Sequence, residues 1–148
     1  MNHETHMRHA LAQAQHALDE DEFPVGCAIL LDGRVLATAR RVNSRRSVPS
    51  ELDHAEIIAL RQVEALDGSL DRRRMVLYAT LEPCLMCFGA ILLSGIGTLV
   101  HAYEDAMGGG TGCDRARLPS LYRDNGVKIV PGVCRQESLA LFQAYFRR

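Results

Sequence analysis

Two short segments of the chain contain side chains that can bind a metal ion. His54 lies two residues before Glu56, and Cys84 lies three residues before Cys87. One imidazole and two thiolates are ligands that zinc prefers, and three protein ligands leave the fourth tetrahedral position open, as in catalytic zinc sites. Glu56 would then handle the protons of a water molecule that the metal activates. The pattern predicts one zinc ion (Zn2+) per chain and metal-assisted hydrolysis.

The expected secondary structure places these ligands at the beginnings of two helices. Pro83 suits the first turn of a helix, because the N–H that it lacks has no partner there. Cys84 and Cys87 then share one helix face, and the free N–H groups of the first turn stabilise their thiolates. His54 opens another helix. At such a helix end, Glu56 can lie beside the metal without binding it.

Two other interpretations of the cysteine pair remain open at this point. A Cys-x-x-Cys pair at a helix start is also typical of thioredoxin-like redox sites, but that chemistry gives His54 and Glu56 no role. A structural zinc site would need a fourth ligand, which His101, Cys113 or Cys134 could supply. The number of ligands favours the open, catalytic site.

Hydrophobic periodicity predicts one α/β domain over residues 1–148, with helices covering a five-stranded sheet. Helices are expected near residues 5–18, 54–66, 84–94 and 137–147, and strands near 25–31, 34–39, 75–80, 98–103 and 127–130. Asp32 and Gly33 predict a tight hairpin turn. The third helix is apolar almost all round, so we expect it to be buried. Gly108–Gly112 suggests a mobile loop, and the segments 41–53 and 103–118, with the last helix, are expected to form the pocket walls.

The composition restricts the class of protein. Apolar residues make up 47% of the chain and charged residues 24%, and no apolar run reaches the twenty or so residues of a membrane span. We therefore expect no membrane association, and the polar N-terminal segment does not resemble a signal peptide. Five cysteines, an odd number, argue against a disulfide framework and fit a cytoplasmic location.

Contact with nucleic acid would have to come from local basic patches, because the net charge is only −1. Arg40, Arg41, Arg45 and Arg46 flank Asn43, and a second cluster, residues 72–74, precedes the third strand. One interpretation is a solvated surface with local ion pairs. The other is a phosphate-binding patch near the entrance of the site.

The two metal-binding segments together resemble the signature of the zinc-dependent nucleobase deaminases, His-x-Glu followed by Pro-Cys-x-x-Cys. Further segments resemble the tRNA adenosine deaminase branch of that superfamily, and the likeness covers nearly the whole chain. These segments are Met7–Leu11, Pro24–Gly26, Asn43, Thr80–Cys84 and Tyr145–Arg148.

The resemblance implies a cytidine deaminase-like fold, a three-layer α/β/α sandwich with a five-stranded mixed sheet, and a homodimer. It implies hydrolytic conversion of an amino-substituted nucleobase to its oxo form with release of ammonia, and adenine in tRNA is the favoured substrate. Zinc would be held by His54, Cys84 and Cys87, and Glu56 would be the catalytic acid and base. The implied substrate contacts are Asn43, Ala55, Leu81 and Glu82.

One departure from the branch favours a different substrate. Its tRNA-editing members usually have Asp-x-Lys-x-Gly after the fourth strand, whereas Met107 replaces the lysine here. The alternative is the same reaction on a free base, a nucleoside or a small aminated heterocycle such as guanine or cytosine. A degenerate deaminase-fold subunit that only binds RNA or a partner is a third possibility. Retention of Glu56 argues against it.

Overall fold

Five strands form the centre of the computed structural model, which describes residues 2–148. They are β1 (Gly26–Leu31), β2 (Arg34–Arg40), β3 (Met75–Leu81), β4 (Thr98–Tyr103) and β5 (Lys128–Val130). Their order in the sheet is β2-β1-β3-β4-β5. β1 is antiparallel to both β2 and β3, whereas β3, β4 and β5 are parallel. The mixed five-stranded sheet expected from the sequence is confirmed.

Helices cover both faces of this sheet. They are α1 (His3–Asp19), α2 (Ala55–Glu64), α3 (Leu85–Ser94), a short α4 (Ser120–Arg123) and α5 (Arg135–Phe146). Alternation along β1 divides the core, because Cys27 and Ile29 belong to the cluster that contains α2 and α3 residues, whereas Ala28 and Leu30 belong to the cluster that contains α1 residues. α5 packs against α1 and β4. The result is the three-layer arrangement that the resemblance implied.

The hairpin between β1 and β2 turns where the sequence predicted it. Asp32 and Gly33 both have positive φ, 50° and 79°. Positive φ at both central residues is what a type I′ turn requires, and this turn matches the right-handed twist of the paired strands. The hairpin prediction is confirmed.

Two predictions about the helices were wrong. The second helix was expected to extend to residue 66, but α2 ends at Glu64 and Leu66 is 40% exposed. α3 was expected to be buried all round, yet Leu85 and Leu93 are 64% and 59% exposed. A helix that is apolar on every side can still contact the sheet with one face only, and its sequence does not show which. No helix within residues 2–148 has the length and apolar character that crossing a membrane requires.

Candidate active site

Two of the three proposed zinc ligands are the residues immediately before helices α2 and α3. His54 (φ −74°, ψ 148°) is the N-cap of α2, and Cys84 (φ −68°, ψ 174°) is the N-cap of α3. N-cap side chains commonly accept a hydrogen bond from a backbone N–H of the first helical turn, but neither of these forms such a capping bond. Their donor atoms are thus available to a ligand. Cys87 lies buried in the first turn of α3, three residues from Cys84.

The three donor atoms have the separations that a tetrahedral zinc ion needs. His54 Nδ1 lies 3.6 Å from Cys84 Sγ and 3.5 Å from Cys87 Sγ. Zinc–sulfur bonds of about 2.3 Å and zinc–nitrogen bonds of about 2.05 Å at a tetrahedral angle separate sulfur from nitrogen by about 3.5 Å. All three ligand atoms lie within 4.8 Å of one another. The residues therefore fit the metal that the sequence predicted.

No fourth side chain completes this group. Among residues 2–148, the cluster that could hold a metal consists of His54, Cys84 and Cys87 alone. The other candidates, His101 and two further cysteines, do not belong to it. Three protein ligands are typical of a catalytic zinc site with an open position, so the geometry gives no support to the closed structural site.

The thiols influence each other strongly. A hydrogen bond from the Cys87 thiol lowers the pKa of Cys84 to about 4, and the same bond raises the pKa of Cys87. The hydrogen bond with Cys84 also raises the pKa of His54. Without a metal, Cys84 thus ionises more easily than Cys87. Zinc would require both thiolates and a neutral imidazole, so its binding would release protons from the group.

Glu56 is placed where a proton-transferring carboxylate is needed. It lies in the first turn of α2, it is only 4% exposed, and it lines the same cavity as His54 and Cys84. Its Oε1 has no hydrogen-bond partner among residues 2–148. Burial raises the pKa of this carboxyl above its ordinary value. A desolvated carboxylate with a free oxygen beside a metal site is suited to exchanging protons with a substrate.

The cavity has a volume of about 410 Å³, within the range of small-molecule sites. Besides the ligands His54 and Cys84, its lining contains four residues that the sequence singled out, Ala55, Glu56, Leu81 and Glu82. The expectation that the segments 41–53 and 103–118 and the last helix form the walls is confirmed. These elements contribute Arg41, Ser44, Pro49, Glu51, Asp105 and Tyr145. Sequence reasoning missed Phe23, which also lines the cavity and carries no motif signal.

Asn43 is not among the residues that line this cavity. It has a left-handed backbone (φ 59°), a conformation that asparagine tolerates better than most residues. Its backbone N–H donates to Glu22, and its side-chain amide donates to Asp53 Oδ2 at 2.7 Å. Contact between Asn43 and a substrate therefore stays a prediction.

The basic residues around Asn43 mostly have acidic or carbonyl partners. Arg40 lies 2.7 Å from Glu20, and Arg45 lies 3.7 Å from Asp21. Arg41 is buried and donates to the backbone carbonyls of three loop residues, Val42, Ser50 and Asp53. These contacts agree with the interpretation of a surface with local ion pairs.

The second arginine cluster is far from the site. Residues 72–74 form a short 3-10 helix immediately before β3, whereas Leu81, at the other end of β3, lines the cavity. Seven strand residues span about 23 Å. The prediction that this cluster lies near the entrance of the site was therefore wrong, because the cluster and the cavity lie at opposite ends of β3.

A three-ligand metal group, a buried carboxylate and a nucleobase-sized cavity define a class of zinc hydrolase. Comparison with known families agrees: the model of the cytidine and deoxycytidylate deaminase zinc-binding region matches residues 1–103. This chain belongs to that family, and it is a zinc-dependent deaminase.

Individual relatives are similar over almost the whole chain. The tRNA-specific adenosine deaminase of Bacillus subtilis (strain 168) is 30% identical over 144 residues, which are 97% of this chain and 88% of the relative. That of Agrobacterium fabrum is 33% identical over 150 residues, covering 99% of this chain and 96% of the relative.

Solved structures of two kinds of deaminase are similar to this chain. A structure from a study of A-to-I editing by tRNA:A34 deaminases has a TM-score of 0.77 and 33% identity, covering 93% of this chain and 99% of its own. A guanine deaminase from Nitrosomonas europaea has a TM-score of 0.72 and 26% identity. The match covers 99% of this chain and 85% of the guanine deaminase.

Proposed function

We propose that this deaminase acts on an adenine base in tRNA, converting it to the oxo form and releasing ammonia. The observation that carries the proposal is the extent of the similarity to tRNA-specific adenosine deaminases, which covers 97% of this chain. It therefore includes the cavity walls after residue 103 as well as the metal-binding segments. The structural similarity to a tRNA:A34 deaminase supports the same substrate.

The residues of the site account for the hydrolysis. His54, Cys84 and Cys87 would hold zinc, which when bound supplies a Lewis acid that lowers the pKa of a water molecule. Glu56 accepts a proton from the attacking water and delivers it to a ring nitrogen of the base. Glu56 then takes the proton of the added hydroxyl group and delivers it to the amino group. The bond from the ring carbon to this nitrogen breaks as the C=O bond forms, so that water and the aminated base give the oxo base and ammonia. Burial of this carboxylate excludes bulk water from the transfer.

Three further residues would position the base. Ala55 and Leu81 line the cavity, and their backbone would contact the edge of the ring. Asn43 would contribute its amide oxygen, because its amide nitrogen already donates to Asp53. An acceptor of this kind suits a donor N–H of the base or a ribose hydroxyl.

A second candidate is deamination of a free base or nucleoside such as guanine. The charges around the cavity favour it: Glu51, Glu82 and Asp105 line the walls, and the arginines flanking Asn43 are mostly paired. Each phosphate contact that is missing weakens RNA binding. The similarity to a guanine deaminase supports this candidate as well.

Ammonia release from zinc-loaded protein distinguishes the two. The panel comprises adenine, guanine, cytosine, their nucleosides, and an anticodon stem-loop with adenosine at the wobble position. The matched control stem-loop has guanosine there, and Glu56→Gln protein controls for contaminating activity. Turnover of the adenosine stem-loop alone supports the tRNA proposal. Turnover of free guanine without turnover of the stem-loop would replace it with the second candidate.

We also propose that the enzyme is a cytoplasmic homodimer. The exposed apolar residues Leu85 and Leu93 on α3 border a groove shared with Leu118 and Tyr122. A second copy of the chain is the occupant that the family resemblance implies, and apolar surface of this kind is buried in stable dimers. Leu93→Glu should give monomers in sedimentation equilibrium, whereas Val35→Glu, a partly exposed position on β2, should not. A wild-type protein that sediments as a monomer would contradict the proposal. The free cysteines agree with the cytoplasmic location, and fractionation of cells tests it.

A further inference from the structure

We propose that Glu82 is a positioning residue: its carboxylate holds the segment 105–111 against the backbone of Cys84 and thereby keeps this zinc ligand in place. Glu82 lies between the end of β3 and the metal-binding segment, and its N–H donates to the carbonyl of Tyr103 at 2.7 Å. The inference rests on the zinc site of the deaminase and does not depend on which base is the substrate.

The carboxylate oxygens of Glu82 are already occupied by donors of the loop. Oε1 accepts the N–H of Asp105 at 3.1 Å, and Oε2 accepts both the N–H of Thr111 at 3.3 Å and the hydroxyl of Thr111. Residues 105 and 111 begin and end the loop segment, so one carboxylate ties both ends together. Hydrogen bonds to an ionised acceptor are about twice as strong as neutral ones. The expected mobility of Gly108–Gly112 therefore does not fit these contacts.

The glycines of this segment allow it to lie directly on the metal-binding residues. A Cβ at Gly109 would lie 2.4 Å from Glu82 Cδ, and a Cβ at Gly110 would lie 2.7 Å from Leu85 Cα. Cβ atoms do not approach other heavy atoms this closely, and at Gly110 the neighbours are backbone atoms, so only glycine fits there. A side chain at Gly109 would displace the Glu82 carboxylate. The backbone of the loop thus packs against the carboxylate on one side and the start of α3 on the other.

The same loop makes the backbone contacts that surround Cys84. The N–H of Gly110 donates to the carbonyl of Pro83 at 2.8 Å, and Cys84 forms an isolated antiparallel bridge with Gly109. The Cys84 sulfur contacts its fellow ligands Cys87 and His54, and it makes no capping bond with α3. The backbone that carries this sulfur is therefore held in part by the loop. The chain of contacts runs from Glu82 through the loop to Cys84.

This role differs from the substrate contact that the family resemblance suggested for Glu82. A substrate hydrogen bond would have to compete with donors from Asp105 and Thr111. A positioning role predicts effects on metal binding when no substrate is present, whereas a substrate contact predicts effects on KM alone. Residues that support metal ligands through hydrogen bonds, without binding the metal themselves, have effects of this kind. Their substitution typically costs about 10- to 100-fold in metal affinity or activity.

The test is the rate of zinc release from the loaded protein to an excess of a chromogenic chelator, without substrate. Glu82→Ala removes both acceptor oxygens, and Thr111→Val removes the hydroxyl while keeping the shape of the side chain. We expect both variants to release zinc about tenfold faster than the wild type, or more. Thr111→Ser retains the hydroxyl and should release zinc at the wild-type rate. In the double variant, Thr111→Val should add little to Glu82→Ala, because both act on one contact.

Two controls separate positioning from general destabilisation. Glu104→Gln removes a nearby exposed carboxylate that is paired with Arg135, and it should not change zinc release. Thermal unfolding monitored by circular dichroism shows whether each variant is folded. Zinc release at the wild-type rate from both Glu82→Ala and Thr111→Val would overturn the proposal. A raised KM with unchanged zinc release in Glu82→Ala would make Glu82 a substrate contact instead.

Discussion

Replacement of Glu56 by glutamine isolates proton transfer from metal binding. Glutamine has nearly the same volume as glutamate, so the buried position in α2 stays filled, but its amide cannot accept a proton from water. General acid–base catalysis by one positioned group contributes about 10²- to 10⁴-fold to the rate. Glu56 serves two transfers, to the ring and to the leaving amino group, so we expect a loss near 10⁴-fold, or about 5.4 kcal/mol.

The other carboxylates that line the cavity are poor substitutes for Glu56. Glu82 accepts three hydrogen bonds, and Asp105 accepts the N–H groups of Met107 and Gly108. Glu51 is exposed to solvent and lacks the burial of Glu56. The assay is ammonia release under single-turnover and steady-state conditions, with zinc content measured by elemental analysis.

Two results would refute the assignment of Glu56. Turnover within tenfold of the wild type in zinc-loaded Glu56→Gln would show that another group moves the protons. Loss of zinc from this variant would show that the carboxylate is a ligand. Glu56→Asp is the matched control, because it retains the acid but withdraws it by one methylene, and we expect activity between that of glutamine and that of the wild type.

Three further predictions follow from single contacts. Cys84→Ser should lose most of its zinc, since an alcohol is a much poorer zinc ligand than a thiolate, and wild-type zinc content by elemental analysis would contradict that role. Ser138→Ala should cost about 1–3 kcal/mol in urea unfolding, because the buried hydroxyl donates to the carbonyl of Thr80 at 2.6 Å; an unchanged midpoint would contradict this. Glu104 has its pKa lowered from 4.5 to about 2 by the hydrogen bond from Arg135, so its contribution to stability is present above pH 4.5 and is lost as the pH falls toward 2. Glu104→Gln should therefore lose less stability than the wild type between those pH values, and parallel curves would show that the pair contributes nothing.

The parts of this protein that follow from local sequence patterns could be predicted. Cys84 and Cys87 are three residues apart, and His54 begins a helix, so the local geometry of each segment depends on nearby backbone. That the two segments meet at one site was inferred from the types of their side chains and from the family resemblance. The strands are short apolar runs between turn residues, and Asp32 with Gly33 marks the hairpin directly. Such features need no knowledge of distant contacts.

Features that depend on distant contacts could not be predicted. Glu82 and Thr111 are separated by 29 residues, and nothing periodic connects them. Arg40 and Arg45 form ion pairs with Glu20 and Asp21, which lie twenty or more residues earlier in the chain. The cluster of positive charge in the sequence did not reveal these acidic partners. The short helix α4 has too few residues for a periodic signal. The exposed face of α3 looks the same in sequence as a buried one, because apolar side chains do not reveal what covers them.

The ligands come from two separate helices, and this arrangement connects metal affinity to core volume. His54 precedes α2 and Cys84 precedes α3, and the two helices pack against each other. Ala59 is fully buried on α2, so a larger side chain there would shift α2 and change the gap between nitrogen and sulfur. Interior packing can therefore adjust how tightly the ion is held, or which ion is preferred, while every donor atom stays chemically the same.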